Sequence, residues 1–272
     1  DYVTAIVCMC IKRPLCGPGE SMSQNEKPPN KDLTQTAPAF VAGATGFTGR
    51  EVVRLLVERG VPTVAHVRPD SPRLEEWKER FSGVGAEVDA TAWDETAMKE
   101  TLLRIRPASL FALLGTTRAR MHAAGRAGQD PASRSYEAVD YGLTALLIEA
   151  ARETGLTPRV VYLSAAGVRE TSRSAYYRAR SQAEALLRSS GLPYTIARPS
   201  IIAGPGRDDD RPLEKAGAVI GDRLLSVAGW LGAGKIKARY ASTTNVRLAN
   251  ALVRLALDPK AENRIFESEE LE

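Results

Sequence analysis

Residues 39–57 read AFVAGATGFTGREVVRLLV, an apolar segment followed by a glycine repeat and a helical pattern. The apolar segment is typical of a buried strand, and Gly43, Gly46 and Gly49 follow it at the spacing G-x-x-G-x-x-G. Glycines let a backbone turn sharply and approach a phosphate closely, while the first turn of a helix directs amide groups and a positive dipole end towards it. The stretch therefore predicts a dinucleotide-binding strand, turn and helix. A tight strand-to-helix turn without a ligand is the alternative.

The segment after this helix indicates which dinucleotide is bound. Apolar residues 61–67 predict a second strand, which closes a βαβ unit of about 30 residues. An acidic residue at the end of that strand would bind the ribose 2′-hydroxyl of NAD, but Arg68 stands there instead. Its guanidinium can pair with a 2′-phosphate, so the sequence favours NADP(H) over NAD(H). An arginine exposed to solvent is the alternative, and the nearby Asp70 weakens the inference.

The same alternation of strand and helix patterns continues to the C-terminus. Strands are predicted near residues 86–88, 109–115, 159–164 and 193–197, and helices near 94–104, 135–153, 174–188 and 245–257. The alternation predicts an α/β fold with a doubly wound parallel sheet, whose ligand lies at the carboxyl ends of the strands. Gly115, Thr116, Ser164 and residues 198–200 all fall at those ends. Each could be a turn or cap residue, but their shared edge favours a site.

Composition limits the classes of partner. The chain of 272 residues is 43% hydrophobic, which suits a single α/β domain over residues 38–272. Its net charge of +4 is spread along the chain and aromatic residues make up 6%, so a nucleic-acid surface is not predicted. His66 and His122 do not stand at metal-ligand spacing, so no metal site is expected. A surface role is the default for His122, with a general acid near the cofactor as the alternative.

The N-terminal residues are expected to lie outside the domain. Residues 1–37 predict a disordered leader, and Met22 is a possible natural start, which would leave residues 1–21 outside the natural protein. The opening apolar segment is shorter than a membrane span, so no span is predicted there. All cysteines, Cys8, Cys10 and Cys16, lie in this leader. A core without cysteine predicts a cytoplasmic protein.

Tyr176 and Arg180 stand four residues apart in a predicted helix and therefore share one face. The Tyr176 hydroxyl is positioned to donate its proton to a developing alkoxide, and a neighbouring cation would stabilise the phenolate that remains. Arg180 supplies such a cation. An ordinary structural pair on a helix is the alternative.

Several motifs stand out along the chain: GATGFTG (43–49), LLGTTR (113–118), YLS (162–164), YYRARSQAEA (176–185) and ARPSII (197–202), followed by Arg207 and Arg211-Pro212. On these motifs the chain resembles the atypical and extended short-chain dehydrogenase/reductases over about residues 39–270, and is most similar to their Tat-interacting-protein oxidoreductase subgroup. The resemblance implies a Rossmann fold with a small C-terminal region that covers the substrate. That region is expected at about residues 204–240, although a solvated charge run and a packing helix are an equal alternative.

The resemblance also implies site roles. Ser164 would orient a substrate carbonyl, Tyr176 would be the acid, and the basic residue four later would hold the nicotinamide ribose. The coenzyme-binding residues are expected at Gly43, Thr45, Gly46, Phe47, Thr48, Gly49, Arg68, Leu114, Gly115, Thr116, Arg180 and Pro199. Two positions depart from the family pattern, because Arg180 stands where lysine is usual and Ala165 where the subgroup tends to have a second serine. Both departures concern turnover more than cofactor binding.

Three functions remain open at this point. An NADPH-dependent oxidoreductase that reduces a small carbonyl or a related acceptor is favoured. The altered Tyr-x-x-x-Arg pair motivates a second class, a regulatory protein that senses NADP(H) and signals to a protein partner without turnover. A nucleotide-sugar epimerase or dehydratase is less favoured, because the chain after Ile202 is short for a sugar-nucleotide domain.

Overall fold

The computed structural model describes residues 37–117, 121, 125–126, 128, 130–200, 202–203 and 243–271, all within the unit Asp32–Glu272. The predicted leader, except for its last residue, lies outside the described residues. So do His122 and the region predicted to cover the substrate.

Helices and strands alternate through the described residues. The main strands are β1 (Ala39–Ala42), β2 (Thr63–His66), β3 (Glu87–Asp89), β4 (Ser109–Ala112), β5 (Arg159–Leu163), β6 (Tyr194–Arg198) and β9 (Arg264–Glu267). Two short strands, β7 (Ile202–Ala203) and β8 (Thr243–Thr244), form a separate pair. The α-helices are α1 (Gly49–Glu58), α2 (Leu74–Gly83), α3 (Glu95–Ile105), α4 (Leu143–Glu153), α5 (Ala175–Ser189) and α6 (Asn245–Leu257). A π-helix (Tyr136–Gly142) leads directly into α4, and short 3₁₀ helices cover Pro131–Arg134, Pro259–Ala261 and Ser268–Glu270.

The seven main strands form one parallel sheet in the order β3-β2-β1-β4-β5-β6-β9. The chain first builds the sheet outwards from β1 to β3, then returns to β4 on the other side of β1. Because the strand order reverses beside β1, the crevice at its carboxyl end is the place where such a sheet binds a ligand. The predicted α/β fold with a doubly wound parallel sheet is confirmed.

Alternate strand residues face opposite layers of helices, as the two-residue period of a strand requires. Val41 and Phe111 pack in the cluster that contains buried residues of α1, α2 and α6. Phe40 and Leu110 pack in the second cluster, with residues of α3, α4 and α5. Both faces of the sheet are therefore covered, which explains why its central strands are apolar on both sides.

The predicted elements are found within a few residues of their expected bounds, while the short strands β7 and β8 were not predicted. Helix α2 and strand β9 were not predicted either. The segment expected as one helix over residues 135–153 begins instead with a π-helical stretch. This stretch widens the helix at the end that faces the sheet's carboxyl edge, a position where π-helical turns are often functional.

The turn after β1 gives a prediction about stability. Gly43 has φ +83°, and a Cβ added there would lie 2.5 Å from the Leu113 carbonyl oxygen. Gly60 has φ +72° but no heavy atom within 4 Å of an added Cβ. We expect Gly60→Ala to cost about 1 to 2 kcal/mol of the unfolding free energy from the left-handed backbone alone. Gly43→Ala should cost a further amount of about 1 to 3 kcal/mol because the added methyl group collides with backbone.

Urea unfolding of the two variants and the parent measures this difference. Equal losses would show that the turn between β1 and α1 moves away from β4 without cost.

Candidate functional site

The glycine-rich turn lies at the carboxyl end of β1, where α1 begins. The Gly46 amide donates to the Gly43 carbonyl at 2.9 Å, and a Cβ on Gly49 would collide with that same carbonyl oxygen. The turn is therefore closed by backbone alone, and α1 starts at Gly49 with its first amides at the crevice. This side-chain-free surface beside a helix N-terminus fits a diphosphate. Asn245 steadies the turn from α6, because its Nδ2 donates to the Phe47 carbonyl at 3.3 Å.

The other predicted residues of this turn are placed around it. Thr45 is half-buried beside the glycines, and Thr48 is buried just before α1. The Thr48 carbonyl accepts from the Val52 amide at 3.0 Å, while its side chain makes no capping hydrogen bond. Both threonines thus belong to the loop that would surround a diphosphate.

A buried guanidinium joins the carboxyl ends of β4 and β5. The side chain of Arg180, on α5, is 7% exposed, and its Nη2 donates to the Leu114 carbonyl at 3.1 Å. Its Nη1 donates to the Leu163 carbonyl. The same side chain fills the space below Gly115, where an added Cβ would lie 2.7 Å from Nη2. The predicted residues Leu114, Gly115 and Arg180 therefore meet in one cluster.

Asp140 neutralises this guanidinium from the π-helix. Its side chain is fully buried, and Oδ1 accepts from Arg180 Nη2 at 2.8 Å. Oδ2 accepts from the Thr116 amide at 2.9 Å, so the carboxylate also fixes the loop after β4. The carboxylate thus connects α5, the π-helix and a loop predicted to contact the coenzyme.

Burial and pairing act in opposite directions on this cluster. Burial raises the pKa of Asp140, while Arg180 and the Thr116 amide lower it and only partly offset the rise. Burial alone would lower the pKa of Arg180, but its neighbours, with Asp140 as the charged partner, outweigh this effect and the net shift is upwards. Burial also raises the pKa of Tyr162 to about 12, so this phenol stays protonated beside the cation.

Tyr176 lies one helical turn before Arg180. The Arg180 Cζ is 5.4 Å from the centroid of the Tyr176 ring, and the ring is half-buried. Tyr136 and Tyr177 contact it edge to face, with ring centroids 5.3 and 5.2 Å away. The candidate proton donor is therefore close to a permanent positive charge and partly open to solvent.

Ser164 belongs to a second buried network. Its hydroxyl donates to Glu184 Oε1 at 2.5 Å, and Glu184 also accepts from Arg198 Nε and Nη2 at 3.0 and 2.6 Å. Arg198 reaches Glu267 on β9 at 3.0 Å, and its hydrogen bond with Glu184 is the main cause of its raised pKa. The network joins α5 to the ends of β5, β6 and β9. In this arrangement the only hydroxyl hydrogen of Ser164 is used in the hydrogen bond to Glu184.

Two further predicted residues lie at the same edge of the sheet. Pro199 is buried after β6, and its carbonyl accepts from the Ala166 amide at 2.8 Å. Arg68 follows β2, and its Nη1 pairs with Asp70 Oδ2 at 3.2 Å with 34% of the side chain exposed. Arg68 is therefore separate from the Arg180 cluster and lies on the other side of β1.

His66 has a structural environment. Its Nε2 donates to the Thr91 carbonyl at 2.8 Å, its ring packs against Phe40 and Trp93, and burial lowers its pKa. Within the part of the chain that the structure describes, no group of His, Cys, Asp or Glu side chains is arranged to hold a metal ion.

Two buried acids were missed by the sequence interpretation. Asp140 and Glu184 are buried residues of the π-helix and of α5. An acid on an inward face is a signal of a buried partner, because such a charge is costly unless paired. Their arginine partners lie 40 and 14 residues away, a distance that local spacing does not reveal.

The Arg180–Asp140 pair gives a prediction about folding. We expect Asp140→Asn to lower the unfolding free energy by about 3 to 5 kcal/mol, because it leaves a buried guanidinium uncompensated. Glu153→Gln, which breaks the exposed pair with Lys99, is the matched control and should change stability little. Denaturant unfolding measures both variants.

Combining Asp140→Asn with Arg180→Met should recover part of the loss, since the uncompensated charge is then gone. A double variant less stable than Asp140→Asn would contradict this account.

Comparison with known proteins agrees with the geometry of the crevice. A profile of the NAD(P)H-binding family matches residues 43–224. A mitochondrial fmp52 protein of Aspergillus clavatus is 32% identical over 179 residues, which are 64% of this chain and 70% of that protein. The mitochondrial fmp52-1 protein of Aspergillus terreus is 29% identical over 225 residues, which are 81% of this chain and 88% of that protein.

Solved structures share the fold. The Bordetella bronchiseptica enzyme WbmH, in complex with NAD⁺, has a TM-score of 0.57 at 20% identity, over 81% of this chain and 72% of that one. A UDP-N-acetylglucosamine 4-epimerase from Bacillus cereus has a TM-score of 0.53 at 15% identity, over 85% of this chain and 77% of that one. These similarities support the fold of the dinucleotide-binding sheet, and none of them supports the Tat-interacting-protein subgroup.

The expected cytoplasmic localisation is wrong, because the curated relatives that match are all named as mitochondrial proteins. The inference rested on where the cysteines stand, and mitochondrial and cytoplasmic compartments are not separated by that observation. None of the helices in the described ranges is both long and apolar enough to cross a bilayer. The family match, the glycine turn at the end of β1 and the strand reversal beside it agree, and the chain belongs to the NAD(P)H-binding protein family.

Proposed function

We propose that the protein is an NADPH-dependent oxidoreductase that reduces a small carbonyl or a related acceptor. The observation that carries the proposal is the position of Tyr176. Its ring centroid is 5.4 Å from the Arg180 guanidinium, which donates to the carbonyls of Leu163 at the end of β5 and Leu114 just after β4. These carbonyls lie at the edge where such a sheet binds a dinucleotide. A mitochondrial location is proposed from the names of the relatives.

NADPH, when bound, supplies the hydride. Tyr176 is proposed to donate the proton that the reduced oxygen requires, and the adjacent Arg180 charge stabilises the phenolate left behind. Arg180 Nε is buried and has no hydrogen-bond partner among the described residues. It is therefore the guanidinium donor that is left for a ribose hydroxyl of the coenzyme, which would accept a hydrogen bond from it. This supports the ribose role expected at this position.

Ser164 is proposed to orient the substrate oxygen. Its hydroxyl would have to leave Glu184, at the cost of a hydrogen bond to a charged group, about 1.5 to 3 kcal/mol. Glu184 would keep both hydrogen bonds from Arg198, so its charge stays compensated after the serine turns. Only the Ser164–Glu184 hydrogen bond is lost, so the serine can turn while the rest of the site stays in place.

The hydrogen bonds of the Arg180 guanidinium also support a second function, an NADP(H) sensor without turnover. Both Nη atoms of Arg180 are used by protein acceptors, and the Ser164 proton is held by Glu184. A pocket built in this way can bind coenzyme without assisting turnover, as an NADP(H) sensor would. The epimerase among the structural neighbours, at 15% identity, shares the fold and carries no argument for an isomerase.

Tyr176→Phe tests the reductase. We expect the rate of NADPH oxidation with aldehydes, quinones or flavins to fall roughly 100-fold or more, because general acid catalysis is lost. The dissociation constant for NADPH should be nearly unchanged. Tyr177→Phe removes the hydroxyl next along the helix and should retain activity.

An unaffected rate in Tyr176→Phe would remove this tyrosine from the mechanism. No NADPH oxidation by the parent protein with any acceptor, together with tight NADPH binding, would favour the sensor.

Arg68→Ala tests the choice of coenzyme. We expect NADPH affinity to fall roughly ten- to hundredfold, which corresponds to one hydrogen bond between charged groups. NADH affinity should change little because NADH lacks the 2′-phosphate. Fluorescence titration with both coenzymes measures the two constants, and equal losses would contradict the assignment.

A further inference from the structure

Two arginines from distant parts of the chain converge on one carboxylate oxygen beside β2. Arg68 Nη1 lies 3.2 Å and Arg134 Nη2 lies 3.8 Å from Asp70 Oδ2. Arg68 follows β2, whereas Arg134 ends the 3₁₀ helix Pro131–Arg134, which lies in the chain between β4 and the π-helix. The sequence interpretation included Arg68 but gave no role to Arg134.

The two arginines come from chain segments that follow strands on opposite sides of β1. Strands β2 and β4 are the neighbours of β1 on its two sides, and the glycine turn lies at the end of β1. Arg68 reaches the crevice from the β2 side and Arg134 from the chain after β4. A dinucleotide across the glycine turn therefore has one arginine from each flank near the β2 end, where the adenosine ribose lies in such folds.

The three side chains of the cluster are all partly exposed to solvent. Side-chain exposure is 34% for Arg68, 28% for Arg134 and 68% for Asp70. One carboxylate faces two guanidinium groups, so the three side chains together carry a charge of +1. Ion pairs this exposed contribute little to stability, and the most exposed member can leave the cluster easily.

We propose that Arg134 is a second arginine of a 2′-phosphate site and that Asp70 occupies the position of this phosphate until the coenzyme binds. The inference rests on the proposed function and adds the residues that determine its coenzyme specificity. A phosphate with two negative charges pairs with both guanidinium groups more strongly than one carboxylate does. Asp70 is displaced by NADPH but has no competitor when NADH binds.

The proposal predicts opposite changes in NADPH affinity when the positive charge of Arg134 or the negative charge of Asp70 is removed. Arg134→Ala should weaken NADPH binding by roughly tenfold, the effect of a charge-assisted hydrogen bond, and leave NADH binding nearly unchanged. Arg134→Lys keeps the charge and should recover part of the loss. Asp70→Asn should strengthen NADPH binding by roughly two- to fivefold, because the competing charge is removed.

The experiment uses the full chain and two small probes, adenosine 2′,5′-bisphosphate and adenosine 5′-monophosphate, which differ only by the 2′-phosphate. Isothermal titration of each variant with both probes and both coenzymes isolates the contribution of that group. Arg59→Ala is the matched control. It removes the same charge at the C-terminal end of α1, about 15 Å of helix away from the glycine turn.

Loss of bisphosphate affinity in Arg134→Ala, with monophosphate affinity retained, is the expected result. Equal losses for both probes, or no loss for either, would overturn the role of Arg134 while leaving dinucleotide binding intact. A parent protein that binds NADPH no more tightly than NADH would instead overturn the NADPH preference itself. Circular dichroism melting of each variant excludes unfolding as the cause of a loss.

Discussion

The buried pair of Arg180 and Asp140 is the constraint on which the site depends. A guanidinium that loses its water needs hydrogen-bond acceptors in fixed positions, and a carboxylate must compensate its charge. The ends of β4 and β5 supply the carbonyls of Leu114 and Leu163, and the π-helix supplies the carboxylate. None of these groups can move independently without leaving a buried charge unpaired. The loop after β4, the π-helix and α5 are thereby fixed relative to one another beside the crevice.

This constraint also explains how far the sequence could predict the molecule. The glycine turn and its flanking elements are local features, so spacing alone predicted β1 and α1 correctly. Helix α2 was missed because its buried side chains are few, Trp77 and Phe81 among charged neighbours. Strand β9 was missed because it is a four-residue edge strand in which only Phe266 is buried.

The partners of the site residues could not be predicted for a different reason. The π-helical stretch Tyr136–Gly142 is only seven residues long, too short to change the apolar period of the helix that follows it, so it gave no separate signal. Asp140 meets Arg180 because the π-helix packs against α5 in the folded protein. Such pairing depends on tertiary topology, which a single sequence does not specify residue by residue.

Arginine in place of the usual lysine changes what the position can do. A lysine ammonium is a point charge on a flexible stem, whereas a guanidinium is planar and donates in several fixed directions. Arg180 uses this fork to bind two strand ends and Asp140 at once, and lysine has no equivalent geometry. The position therefore has a structural role as well as an electrostatic one. Because the guanidinium already binds the strand ends, fewer of its N–H groups are left to bind a coenzyme.

Helix α5 connects this cluster to the second buried network. Tyr176, Arg180 and Glu184 follow at four-residue intervals and so share one face of the helix. Arg180 binds the ends of β4 and β5, while Glu184 binds Ser164 after β5 and Arg198 at the end of β6. Two buried charges thus fix the rotation and the height of α5 against three neighbouring strands. Tyr176 is not itself held by a buried ion pair. Its position follows from those of Arg180 and Glu184, the next two residues along the same face of α5.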